Sequence, residues 1–163
     1  MNVRIVKLEQ LSGNKTSIYS VIIDNKEETQ FEGFLRENNT VYSTEIKDII
    51  GRLITIGNKT GAREHFFKEK EGKPGDGVSA LYDVPSKNLR LYCIRYGTQI
   101  LILGGGGKKE VRALQEDDKL REENYLLRDI SNFITQKIVS QDIKYINNGL
   151  ELEGDLEFET NED

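Results

Sequence analysis

Two apolar runs, Val3 to Leu8 and Ile18 to Ile23, flank the turn-forming Ser12-Gly13-Asn14-Lys15 and predict a pair of strands. From Thr29 the interval changes, because Phe31, Phe34 and Leu35 keep helical spacing. After Ser43, an expected N-cap, Ile46, Ile49, Ile50, Leu53 and Ile54 recur at helical intervals. They predict a helix with one buried face, closed by Gly57. Residues 58–77 are polar and predict a short helix around Arg63 to Glu69, then a loop. Three strand-like runs follow, Val78 to Val84, Leu89 to Tyr96 and Gln99 to Leu103, and their short connections imply an antiparallel meander. In the middle run Leu89, Leu91 and Cys93 share one face and Arg90, Tyr92, Ile94 and Tyr96 the other. Ile100 to Leu103 is apolar throughout, as in a strand covered on both faces.

Beyond the glycines 104–107, Asp117 or Asp118 is the expected cap of a long helix whose stripe is Leu120, Leu127, Ile130, Ile134 and Ile138. From Asn147 onward Leu150, Leu152, Leu156 and Phe158 alternate mainly with acids. That pattern fits either a hairpin or a segment that stays unfolded until it meets a partner. The expected fold class is therefore α+β: a small antiparallel sheet with a C-terminal three-strand meander, packed against helices. Residues 1–140 form the expected domain and residues 141–163 an acidic extension.

Charge sharpens this division. Residues 1–115 hold 18 Lys/Arg against 14 Asp/Glu, whereas residues 116–163 hold 5 against 14. A mildly basic body suits a polyanionic partner, and an acidic tail of this kind can cover the basic surface in competition with RNA. No apolar stretch reaches the length of a membrane span, and Met1-Asn2-Val3-Arg4 does not lead into the apolar core of a signal peptide, so a cytoplasmic protein without membrane contact is expected. The lone Cys93, in an apolar run, reads as a buried reduced thiol.

The inventory excludes several chemistries. His65 is the only histidine, so one chain cannot build a two-histidine metal site or a Cys/Cys/His zinc cluster, and no nucleophile elbow accompanies it. Gly104 to Lys109 lacks the spacing of a phosphate-binding loop, and no hydroxyl residue follows Lys109 to hold magnesium. What remains is a distributed basic set: Arg63, Lys68, Lys70 and Lys73 before the meander, Arg90 within it, and Lys108, Lys109 and Arg112 at its exit. Antiparallel pairing predicts that Arg90 and Lys108/Lys109 meet at one end of the sheet. Cations there would stabilise a pentacoordinate phosphate, with Tyr92 or Tyr96 stacking on an unpaired base.

From Leu89 to Arg112 the sequence runs Leu-Arg-Leu-Tyr-Cys-Ile-Arg-Tyr, a short turn, Gln-Ile-Leu-Ile-Leu, glycines and Lys-Lys. It resembles the central strands of the RelE/HigB-like toxins of bacterial type II toxin–antitoxin modules, and the match extends from Val78 to Arg112. The resemblance implies a small sheet backed by helices and endoribonuclease action on messenger RNA, on the ribosome, without a metal or other cofactor. It also implies neutralisation by a small cognate antitoxin. Arg90 then corresponds to the strand arginine that holds phosphate, Lys108 and Lys109 to the basic pair after the last core strand, and Lys68 and Lys70 to the loop that grips the RNA backbone. The alternatives are a non-catalytic binding protein of the same fold and a gyrase-inhibiting relative. No general base stands out, although His65 is the side chain whose charge ordinarily changes near neutral pH.

Overall fold

The computed structural model describes residues 1–68, 77–81, 87–109 and 118–160. Its main body is a seven-stranded mixed sheet in the order β3-β4-β5-β6-β2-β1-β9, with helices on both faces and a separate two-stranded hairpin. The strands are β1 (Asn2–Lys7), β2 (Ser17–Ile23), β3 (Phe67–Lys68), β4 (Val78–Leu81), β5 (Leu89–Tyr96), β6 (Ile100–Lys108) and β9 (Glu157–Glu159). The hairpin is β7 (Ile143–Ile146) and β8 (Glu151–Gly154), and the helices are α1 (Gln30–Asn38), α2 (Ser43–Thr55) and α3 (Asp118–Val139).

β4 pairs with β5 and β5 with β6, both antiparallel, but β6 lies parallel to β2, so the sheet is mixed where an antiparallel one is expected. The parallel pair, Ser17–Ser20 against Ile100–Leu103, joins the N-terminal strands to the meander. Both strands are buried along these residues, as the unbroken apolar run Ile100 to Leu103 predicts for β6. One core, under α3, gathers Tyr19, Val21, Ala80, Tyr92, Ile94, Ile102, Leu127, Ile130 and Ile134. The other, under α1 and α2, gathers Ile18, Phe34, Ile46, Ile49, Leu53, Leu89, Leu91, Cys93 and Leu103.

Thr29-x-x-Glu32 starts α1 as a capping box: Glu32 N–H donates to Thr29 Oγ1 at 3.1 Å and Thr29 N–H to Glu32 Oε1 at 2.9 Å. Ser43 is the first helical residue of α2, not its cap; Tyr42 holds the cap position without a side-chain bond. Nor does Gly57 close that helix. The chain continues through a widened π-turn, Ile56–Thr60, ended by Gly61 at φ 78°. The short helix expected near Arg63 is a single 3₁₀ turn, Glu64–Phe66, ahead of β3. Of the two expected caps of α3, Asp117 lies outside the described residues and Asp118 is the first residue of the helix.

The glycine run is strand, not exit loop. Past Leu103, β6 no longer pairs with β2, and α1 is tied in there: Phe31 N–H donates to Ser20 Oγ, which donates to Leu103 O. A Cβ on Gly104 would lie 2.8 Å from Leu127 of α3, and one on Gly106 would lie 1.9 Å from the Arg90 carbonyl oxygen.

The acidic C-terminal segment is built into the sheet. β9 pairs with β1, Phe158 and Leu152 enter the α3-side core, and Leu152 N–H donates to the Tyr19 hydroxyl at 3.0 Å. The expected division at residue 140 therefore cuts through one hydrophobic core. β9 occupies the edge opposite β3 and is held there by β1, while the Asn148 carbonyl of the same segment accepts from Gln99 Nε2 at the β5–β6 turn, at 3.2 Å.

Candidate nucleic-acid interface

Register decides where the basic residues go. Leu89 lies opposite Lys108 and Arg90 opposite Gly107, and the Lys109 N–H donates to the Asn88 carbonyl at 2.7 Å, so the three cations do share one end of the sheet. They do not share one face. Directly paired residues point the same way, so Lys108 projects with Leu89 toward the α2 side. Arg90 projects with Gly107, whose Cβ position is 3.3 Å from Lys119 of α3.

The cause is a bulge between Leu91 and Cys93: Leu91 opposes Gly106, yet Cys93 opposes Leu103. One extra residue in β6 reverses the facing of everything beyond it. Without the bulge Lys108 would stand on the Arg90 side. With it, Lys108 faces α2, while Lys109, one residue past β6, is held at this end through its backbone. Lys68, opposite Ala80 of the α3-side core, shares the Arg90 face.

The α2 side of this end is fixed by a buried acid. Glu45, in the first turn of α2, accepts from Asn88 N–H at 2.6 Å and Leu89 N–H at 3.1 Å. Its carboxylate thereby orders the start of β5. Helical spacing sets Glu45 on the same side as Ile49 and Leu53, but its acceptor role depends on partners 43 and 44 residues away.

Three other expected residues stand elsewhere. Tyr92 is 4% exposed in the core beneath α3, so its ring is not offered to a base. Tyr96 is half-buried with its hydroxyl 3.1 Å from Thr135 Oγ1, and burial raises its pKa above the ordinary tyrosine value. Arg63 follows Ala62, whose N–H donates to Thr98 O in the β5–β6 turn, the end of the hairpin opposite Lys108. Eight residues of β5 span about 25 Å. His65 is exposed and tilts against Phe66 with ring centroids 4.1 Å apart. Lys70, Lys73 and Arg112 lie outside the described residues.

Among the described residues no group of three or more His, Cys, Asp or Glu side chains could hold a metal ion, and no helix is long and apolar enough to cross a membrane. Comparison with protein-family models, curated proteins and solved structures finds no match to this chain.

Proposed function

We propose that this domain engages RNA through the Leu89–Lys109 end of its sheet, as a RelE/HigB-like toxin domain. The observation that carries the reading is the register that sets Arg90 opposite Gly107, which offers no side chain on β6, while the Lys109 N–H is tied to the Asn88 carbonyl at the same end of the sheet. Two cations at one end of the β5–β6 pair suit the oxygens of a phosphodiester. In cleavage, the ribose 2′-hydroxyl gives its proton to water and attacks the adjacent phosphorus, and the bond to the 5′-oxygen breaks with that oxygen taking a proton from water. A 2′,3′-cyclic phosphate is left, and Arg90 and Lys109 offset the extra negative charge of the pentacoordinate state. Lys108, on the other face, serves backbone affinity.

The second reading is a non-catalytic RNA-binding protein. It is favoured by the separation of Arg90 from Lys108 and by the burial of Tyr92. Induced expression of the wild type, R90A and K109A, with growth and message integrity followed, decides between them. Toxic cleavage lost in both variants supports the ribonuclease. RNA binding without cleavage by the purified wild type establishes the binding protein, and the absence of both overturns the proposal.

A further inference from the structure

At the opposite end of the β5–β6 hairpin, three loops distant in sequence are tied backbone to backbone. Lys15 N–H and Thr16 N–H, in the β1–β2 loop, both donate to Gly57 O in the π-turn, at 2.9 and 3.1 Å. Thr16 Oγ1 donates to Thr98 O at 2.7 Å, and Ala62 N–H donates to the same oxygen at 2.8 Å. The loops touch so closely that a Cβ on Gly13 would lie 2.5 Å from Gly57 O, and one on Gly57 2.2 Å from Leu11 O. This platform holds its parts rigidly for a reason internal to the fold, yet its outward side carries Lys15, Lys59 and Arg63, all exposed.

None of the three cations has a carboxylate partner among the described residues. Elsewhere cations near acids are paired: Lys7 with Glu151, Arg52 with Asp48, Lys137 with Asp155. Arg63 instead anchors its Nε on Thr60 O at 3.1 Å, which fixes the guanidinium beside the π-turn. Glu64 is the acid next in sequence. Asn14, Asn58 and Thr98, also exposed, add uncharged hydrogen-bonding groups to the same loops.

We infer that this loop platform is a second contact for the phosphodiester backbone of RNA, with Lys15, Lys59 and Arg63 neutralising phosphates. The inference rests on the RNA-directed reading above but uses none of the residues of the Leu89–Lys109 end; of its three cations, only Arg63 belongs to the basic set expected from the sequence. Phosphate contacts of this kind give affinity without sequence preference and make binding fall steeply with salt.

The test uses the full chain and an unstructured oligoribonucleotide of about 16 nucleotides, at the upper end of single-strand site sizes. Affinity is measured by fluorescence anisotropy across a salt series for the wild type, K15E/K59E/R63E and K108E/K109E, with circular dichroism confirming that each is folded. The platform variant is expected to bind at least about tenfold more weakly and to lower the salt slope by about 2, the share of three single-strand phosphate contacts. An unchanged affinity and slope in that variant, while K108E/K109E binds poorly, overturns the platform and leaves the sheet-end reading standing. The reverse pattern supports the platform and removes the sheet end. A wild type that binds no RNA overturns both.

Discussion

The two ends of the β5–β6 hairpin carry similar charges by opposite means. At the Leu89–Lys109 end, Arg90 and Lys108, on neighbouring strands, are divided between faces by a bulge in the glycine run. At the Thr98 end, cations far apart in sequence are gathered by hydrogen bonds between loops. Nearness along a strand thus says little about shared chemistry, since each pleat reverses direction, whereas loops whose backbones interlock can assemble a surface from any part of the chain.

The sharpest break of the first end is Gly106→Ala. Its Cβ would meet backbone, the Arg90 carbonyl at 1.9 Å, so the central strands must part. We expect a loss of about 3 kcal/mol or more in urea unfolding, the upper range for overpacking a core. Gly104→Ala, which meets only the flexible end of Leu127, should cost clearly less. Equal losses would show that the bulge is not what makes the strand pairing tight.

Next in size is the loop end. Gly57→Ala drives a Cβ toward the Leu11 carbonyl and should cost about 2 kcal/mol. Amide exchange should quicken at Lys15 and Thr16, whose acceptor is Gly57 O, while Leu89 and Lys109 keep their protection. Faster exchange at both ends would mean that the hairpin ends are not independent.

Glu45→Ala probes the first end from the α2 side. It leaves the Asn88 and Leu89 N–H groups without their acceptor, and a loss of about 2 kcal/mol is expected, with Glu45→Gln intermediate because its carbonyl oxygen can still accept. A neutral E45A would show that water replaces the carboxylate.

The smallest effect is a pH dependence at the loop end. Burial, the main cause, raises the pKa of Tyr96, at the last residue of β5, while its hydrogen bond to Thr135 opposes the rise. The unfolded chain therefore loses this proton first as pH climbs past the ordinary tyrosine value of about 10. The stability due to Tyr96 is complete below that pH and is lost as pH rises through the folded-state pKa. Tyr96→Phe should flatten the decline in stability above pH ~10; an unaltered slope would assign it to other groups, Tyr19 among them, which burial also raises.

By itself the sequence determined the local elements: helical intervals place α2 and α3, alternation places β5, and Thr29-x-x-Glu32 marks the start of α1. Periodicity reports which residues share a face, because it follows from backbone geometry alone. It does not report what covers that face. Alternation puts Tyr92 on the side opposite Leu91, but α3, from later in the chain, closes over it. Only the tertiary structure decided the parallel pairing of β2 with β6, the docking of acidic β9 against β1, and the single-residue bulge that moved Lys108 away from Arg90. Each of these depends on contacts between residues tens of positions apart, whose energies are settled by how the layers fit together rather than by any local run of side chains.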